Sequence, residues 1–356
     1  MKFWRRLKTV GRKPFLESSE KIADGFVDAR KTNSLRGVLA GLLVIVLLLI
    51  GIGWYWSAEP DLFDVRAEAD LVLAGKSPVV GATTTATLIH TIEVLLQKPG
   101  GYLSNDMMPP GVWLDNIPSW EFGVLVQIRD LSKANREAFS RSQSQSTEDR
   151  DLAIAEPRLH IDHRSWAVPW PESEYADGQK YLTSYLERLV DPAAPDAQFF
   201  ARADNLRYWL STVETRLGSL SQRLSASVGQ RRINTDLSGD AANRQSTQAA
   251  GEITVKTNWL QIDNTFYEAR GTTWALLHFL KAVEVDFAEV LMRKNAIASV
   301  QQIIRELEMS QQPVNAPLIV NGEGFGLLAN HSLVMASYIS RANAAIIDLR
   351  ELLSQG

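Results

Sequence analysis

Apolar residues recur at helical spacing along most of the chain, and in one stretch they occupy every side of the helix. Residues 37–56, GVLAGLLVIVLLLIGIGWYW, contain no charged side chain. At about 1.5 Å per residue this run is roughly 30 Å long, which matches the hydrocarbon core of a bilayer. A core helix would keep a polar face, and a leader peptide cut after Ala58 would have Trp56 where a small residue is required. The pattern therefore predicts a retained transmembrane helix over 37–56.

Two long segments carry an apolar residue at alternating steps of four and three. The first, predicted as a helix over 196–228, has Phe199, Ala203, Leu206, Leu210, Val213, Leu217, Leu220 and Leu224. The second, over 257–309, has Ile262, Phe266, Ala269, Thr273, Leu276, Leu280, Val283, Phe287 and Val290. Such seams are typical of helices that pack side by side. Because the polar residues 229–256 let the chain reverse, we expect 210–224 to face part of 266–290.

The remaining periodicity predicts shorter helices over 83–97, 119–139, 172–190 and 330–353, the last with Asn330 as its N-cap. The expected fold is all-α: a single N-terminal transmembrane helix followed by a long-helix bundle with heptad-like seams. We divide the chain into a cytoplasmic basic tail (1–36), the transmembrane helix (37–56), a first part of the helical domain (57–228), a polar linker (229–256) and a C-terminal long-helix part of the same domain (257–356).

One long loop is unusual in composition. Residues 98–119 are dense in Pro, Gly and Asn but also contain large side chains, which are Tyr102, Met107, Met108, Trp113 and Ile117. Loops of this length inside a compact domain are usually functional or disordered, and the large side chains argue for order. Trp113 and Trp120 form either a stacking platform for a sugar or peptide or a part of the core.

Charge predicts the direction of the anchor. Residues 1–36 contain ten Lys and Arg against four Asp and Glu, a net charge of +6, whereas Glu59, Asp61 and Asp64 follow the apolar run. Basic residues stay on the cytoplasmic side, so we expect a single-pass protein with a cytoplasmic N-terminus and residues 57–356 outside. The basic tail also suits contact with membrane lipids of negative charge.

Composition and motifs exclude several classes of function. Residues 57–356 carry 27 basic and 37 acidic side chains, a net charge of −10, which argues against nucleic acid as a partner. The absence of cysteine excludes disulfides, thiol catalysis and Cys-type zinc sites. His160, Asp162 and His163 are close in sequence, but in an extended segment they do not converge. With no HExxH helix, GxSxG elbow or Walker lysine, we expect no metal and no cofactor.

One face of the second long helix collects the side chains with most binding capacity. Steps of four, three, four, four and three place Asp263, Tyr267, Arg270, Trp274, His278 and Lys281 on one side. Arg270 could hold an anion between Tyr267 and Trp274. The same pattern fits a structural network, with an Asp263–Arg270 ion pair and a hydrogen-bonded core histidine. Both interpretations remain open at this point.

An enzymatic interpretation has a weaker basis. The pairs Glu172/Glu174 and Asp263/Glu268 have the residue types that glycoside hydrolysis uses. Acidic residues are, however, common on any solvated helix face. The sequence leaves catalysis undecided, with the balance against it.

Three long phrases resemble a known family. They are KPGGYLSND with PPGVWLDN, then WLQIDNTFYEARGTTWALLHFLKAVEVDF, then NGEGFGLLANHSLVMASYISRANAAIIDLR. They are similar to a family of uncharacterised bacterial inner-membrane proteins, domain-of-unknown-function family 2333, over most of the chain. The resemblance implies a Gram-negative cell, so the outer side is the periplasm, and it implies no catalytic residue.

These observations favour a non-catalytic, membrane-anchored periplasmic helical protein of the inner membrane. We expect it to act by interaction with envelope components, whether an envelope protein or a second copy of itself. The alternatives are a periplasmic ligand-binding or sensory module that uses the stripe of Asp263 to His278, and a cell-envelope hydrolase.

Overall fold

The structure is a computed structural model that describes residues 13–73, 75–76, 78–142, 146–194, 196–233, 252–314, 318–322 and 328–355. Side chains are described from residue 35 onward, except in 230–233 and 252–255. The chain divides into two compact units, Met1–Trp54 and Tyr55–Gly356. The expected lipid contacts of the basic tail fall mostly outside the described residues.

The first unit contains most of one long helix, α1, Lys13–Trp56. Within it, the 22 residues Leu35–Trp56 are long and apolar enough to cross a membrane, and no part of the apolar window is buried. Leu39, Leu43 and Leu47 are each more than half exposed. The candidate span begins at Leu35, two residues before the predicted start, because it includes Arg36, which lies outside the uncharged run.

The second unit is a helical bundle, and the all-α expectation is confirmed. Its described helices are α2 Val65–Leu73, α3 Ala82–Gln97, α4 Asn116–Ala134, α5 Leu152–Leu159, α6 Pro171–Leu189, α7 Ala203–Ser225, α8 Ile262–Asp286, α9 Ala288–Arg293, α10 Ile297–Ser310 and α11 His331–Ser354. Two four-residue strands, β1 Gln230–Ile233 and β2 Glu252–Val255, pair antiparallel at the two ends of the predicted linker. Residues 234–251 of that linker lie outside the described part.

The centre of the bundle is the contact between α4 and α8, which is the most extensive helix pair in the unit. Two glycines make this close approach feasible. A Cβ at Gly123 would overlap the carbonyl oxygen of Glu268, and a Cβ at Gly271 would overlap the carbonyl oxygen of Trp120. Since α8 is buried on most of its circumference from Phe266 to Val283, it forms the core of the bundle.

The α7 seam was expected to pack mainly on the α8 seam, and this expectation is wrong. The α7 seam is buried as predicted, but α7 packs chiefly on α11 and touches α8 to a lesser extent. The reason is a third seam that the prediction overlooked. On α11 the same four-three spacing buries Met335, Ile339, Ala342, Ile346, Leu349 and Leu353. Because α4 already covers α8, α11 covers the leucines of α7.

Helix boundaries differ from prediction where turns interrupt the apolar pattern. The helix predicted over 257–309 is three helices, with turns at Phe287 and at 294–296. Asn295 adopts a positive φ of 52° in the second turn, a conformation that Asn tolerates better than most residues. The N-cap of α11 is confirmed, since Asn330 Oδ1 accepts a 2.9 Å hydrogen bond from the Leu333 amide.

Candidate functional site

The predicted stripe lies on one face of α8, and most of that face packs against the segment that follows the apolar helix Leu35–Trp56. We call Asp263, Tyr267, Arg270, Trp274 and His278 the α8 stripe, and residues 57–64 the anchor-exit segment. Tyr267, Arg270 and Trp274 line a cavity of about 570 Å³ together with Ser57, Glu59, Pro60, Asp61, Leu62, Gln311, Pro313 and Val314. The structure therefore places three residues of the stripe in one cavity, and the anchor-exit segment of the same chain forms its opposite wall.

Arg270 is the best-satisfied member of the stripe. Its Nη2 and Nε donate to the Glu59 carboxylate at 2.6 and 2.8 Å. Its Nη1 donates to the carbonyl oxygens of Ser310 and Gln312 at 3.2 and 2.9 Å. The Arg270 side chain is 8% exposed. The Asp263–Arg270 ion pair that the sequence suggested is wrong: Arg270 is in a structural ion pair, but its partner is Glu59.

Trp274 joins the segment to the core. Its Nε1 donates to the carbonyl oxygen of Asp61 at 3.3 Å. Its ring meets Trp120 edge to face at 5.3 Å between centroids and also contacts Phe63 at 5.7 Å. Burial followed by the Glu59 charge raises the pKa of Tyr267, so this phenol stays protonated beside the Arg270–Glu59 pair.

His278 fixes the far end of the anchor-exit segment. The Phe63 amide donates to Nε2 at 3.1 Å, so the imidazole proton is on Nδ1, which donates to the Trp274 carbonyl at 2.7 Å. The Phe63 ring stacks on the imidazole at 3.8 Å with an interplanar angle of 8°. Burial lowers the pKa of His278 to about 3. The ring is therefore a neutral bridge at physiological pH.

Asp263 is the first residue of the α8 stripe, and Lys281 lies one step beyond its last residue, His278. Asp263 is half-buried, and burial raises its pKa, with the charge of Asp115 acting in the same direction. Lys281 pairs with Glu308 of α10 at 2.7 Å. Asp263 does not line the cavity beside the anchor-exit segment, whereas Lys281 lines a second cavity, of about 610 Å³, together with Leu62, Phe63 and Asp64.

The carboxylates that suggested hydrolysis are engaged in ordinary ion pairs and hydrogen bonds. Glu172 accepts from Asn105 Nδ2 at 3.1 Å, and Glu174 pairs with Arg158 at 2.5 Å. Glu268 pairs with Arg223 of α7 at 2.5 Å. These contacts, which involve three of the four acids, tie neighbouring elements together.

The histidine cluster and the tryptophan platform do not converge on one site. His160 Nδ1 lies 3.1 Å from the Glu156 carboxylate, whereas His163 Nδ1 lies 3.6 Å from Asp162 and its ring packs on Phe122. Trp120 is fully buried in the core and Trp113 is more than half exposed. Among the described residues there is no group of three or more His, Asp or Glu side chains arranged to hold a metal ion.

Sequence reasoning missed one fully buried ion pair. Lys98 Nζ and Glu121 Oε1 are 2.7 Å apart, and neither side chain has any exposed surface. Glu121 also accepts from the Leu103 amide at 2.9 Å, and Lys98 donates to the Gly101 carbonyl at 2.7 Å. Burial raises the pKa of Glu121, and the Lys98 charge opposes that shift. The pair orders the start of the 98–119 loop, as its large side chains had suggested.

Comparison with known proteins now gives the family. Residues 29–356 match the family model described as "Uncharacterized protein conserved in bacteria (DUF2333)". No curated protein and no solved structure matches the chain. The chain belongs to this bacterial family, and the resemblance noted in its sequence is confirmed.

Proposed function

We propose that this family member is a membrane-anchored, non-catalytic helical protein that acts by contact with envelope components or with a second copy of itself. One observation carries the proposal. The stripe with the richest binding chemistry is occupied by the anchor-exit segment, through Arg270 with Glu59, Trp274 with Asp61 and His278 with Phe63. Its polar groups hold the chain that follows the anchor.

The proposal includes a location and a direction. The exposed apolar helix Leu35–Trp56 is suited to a bilayer. The charge of +6 before the span and the acids after it support a cytoplasmic N-terminus, with Tyr55–Gly356 in the periplasm. Alkaline phosphatase fused after Gly356 should be active. Activity only from a reporter that works in the cytoplasm would contradict this direction.

Native mass spectrometry of the full chain, extracted from its own membranes in mild detergent, tests the mode of action. We expect complexes of fixed stoichiometry with a second copy or with an envelope protein. Adduct-free monomers that hydrolyse cell-wall or lipid substrates would contradict the proposal. Loss of that hydrolysis in Asp263→Asn or Glu268→Gln would then assign it to these acids.

A ligand-binding or sensory role is the second candidate, and the cavity of about 570 Å³ beside Tyr267 and Arg270 favours it. An anionic ligand entering there would compete with Glu59 for Arg270. In the same experiment, an anionic small molecule retained by the wild type, lost from Tyr267→Phe and bound in larger amount by Glu59→Gln would establish this role. Those two variants leave Arg270 in place, which separates loss of the ligand from collapse of the stripe.

A further inference from the structure

Three loops meet at the end of the bundle where the chain enters it. The indole of Trp56 lies so close to Gly100 that a Cβ at Gly100 would overlap it. The loop after α3, residues 98–115, is joined to the loop after α5, residues 160–170, by two contacts. Tyr102 Oη donates to the His163 carbonyl at 3.2 Å, and Asn105 Nδ2 donates to the Ser165 carbonyl, also at 3.2 Å.

The segment before α8, residues 256–261, belongs to the same end. A cleft of about 470 Å³ is lined by Val112, Arg164 and Gln261, one from each of the three loops. The helices agree with this placement. The ring contacts of Trp120 with Trp274 and of Phe139 with Phe287 show that α4 and α8 run in the same direction. Asp115 and Gln261, which directly precede the two helices, both line this cleft. We call these three loops, with Trp56, the entry end.

Exposed tryptophan is concentrated at the entry end. Of the eight tryptophans between Tyr55 and Gly356, three are buried in the core and Trp56 packs partly on it. The four exposed ones are Trp113 (56%), Trp166 (64%), Trp170 (53%) and Trp259 (77%), and all four belong to the entry-end loops. Met107, Met108, Val168 and Leu260 are exposed beside them.

The opposite end has a different surface. Asp286 caps the start of α3 there, through hydrogen bonds of 2.6 and 2.7 Å from Thr84. The exposed large apolar residues near it are Val79, Val80, Met292 and Ile297, with no tryptophan among them. Single apolar side chains are thus exposed elsewhere too, but among the residues described from Tyr55 onward the exposed tryptophans all lie at the entry end. Such a concentration of large aromatic side chains marks a contact surface rather than ordinary surface composition.

Trp56 indicates what covers that surface. It is the last residue of the apolar segment long enough to span a membrane, and it is also part of the entry end. A tryptophan at the end of a span lies at the level of the lipid headgroups. Tryptophan has an apolar body and a polar N–H, so it suits that boundary. Exposed side chains at the tips of several loops are suited to shallow insertion into a bilayer, whereas a peptide partner would need a continuous groove.

We infer that the entry end rests on the bilayer surface, with Trp113, Trp166, Trp170 and Trp259 inserted at the boundary between headgroups and acyl chains. The inference rests on the proposed anchorage by Leu35–Trp56. It adds a second, independent set of lipid contacts, made by three loops far apart in sequence.

The chain contains no cysteine, so single cysteines can report depth without a background thiol. The full chain is reconstituted in phosphatidylethanolamine–phosphatidylglycerol vesicles with a nitroxide at Met108→Cys, Val168→Cys or Leu260→Cys, one per loop. These positions leave all four tryptophans in place. Met292→Cys, 64% exposed at the opposite end, is the matched control, and Leu43→Cys reports the span. Collisions with oxygen and with a water-soluble nickel chelate are measured by electron paramagnetic resonance.

We expect the ratio of oxygen to nickel collisions to be several-fold higher at all three loop positions than at Met292→Cys, and highest at Leu43→Cys. Water-like ratios in the loops, with a lipid-like ratio at Leu43→Cys, would overturn this inference and leave the anchorage intact. A water-like ratio at Leu43→Cys would overturn both. Loop labels shielded from both reagents would overturn lipid contact in favour of a protein partner.

Discussion

The α8 stripe and the entry-end loops both collect aromatic and polar side chains, but they differ in what covers them. On the stripe, the anchor-exit segment satisfies Arg270 and His278 and the core buries Trp274. In the loops, Trp166 and Trp259 have most of their surface exposed. The comparison shows that a group of side chains able to bind a ligand is not by itself a binding site. Contact with an outside partner is better sought where the chain leaves large apolar groups uncovered.

The largest expected difference is between a tryptophan in the core and a tryptophan exposed at the entry end. Trp274→Ala should lower the free energy of unfolding by about 3–5 kcal/mol, because it opens a cavity in the core and leaves the Asp61 carbonyl without its donor. Trp259→Ala should change it by less than about 0.5 kcal/mol. Urea unfolding of the full chain in detergent, followed by circular dichroism, checks both. Equal losses would show that Trp259 packs within the protein.

A buried and an exposed arginine should differ in the same way, with a smaller difference in the free energy of unfolding. Arg270→Ala should cost about 3 kcal/mol, because it leaves Glu59 and two carbonyl groups without a donor in a largely buried place. The matched control is Arg293→Ala. Arg293 pairs with Glu289 on the surface of α9, where both side chains are more than 70% exposed. Such exposed pairs contribute about 0.5 kcal/mol or less. A similar midpoint for the two variants would contradict the structural role of Arg270.

The smallest expected effect is a dependence on pH. The folded-state pKa of His278 is about 3, below the unfolded value of about 6.5, so the unfolded chain binds the extra proton. The contribution of His278 to stability is complete above pH 6.5 and is lost as the pH falls towards 3. Between pH 7 and pH 5 the wild type should lose on the order of 2 kcal/mol more than His278→Gln. Parallel curves for the two proteins would show that His278 is accessible to protons in the folded state.

Local pattern was enough to predict much of the fold. The helix that is long and apolar enough to span a membrane, the buried seam of α7, the N-cap Asn330 and the common face of the α8 stripe all follow from residue types and spacing within one helix. The pairing of α7 with α11 did not, because three seams with the same four-three spacing compete and periodicity alone does not rank them. The glycines at 123 and 271 favour the α4–α8 contact, but only the three-dimensional approach shows that these two face each other.

Only the α8 residues of the candidate site were predictable from the sequence, and their partners were not. Spacing brought Arg270, Trp274 and His278 together, but their partners lie more than 200 positions earlier in the chain. Glu59 and Phe63 have no periodic pattern, since they belong to an extended segment. The one available signal was an acidic residue three positions after the span, which we used only to assign the direction of the anchor.

The most direct test of the account is a double-mutant cycle between Glu59 and Arg270. The claim is that Arg270 exists to hold the anchor-exit segment. The free energies of unfolding of Glu59→Ala, Arg270→Ala and the double variant are measured on the full chain in detergent. If the two side chains are partners, the double variant should be more stable than the sum of the single losses predicts, by about 1–3 kcal/mol. Losses that add within about 0.5 kcal/mol would contradict the claim and return Arg270 to the search for an external ligand.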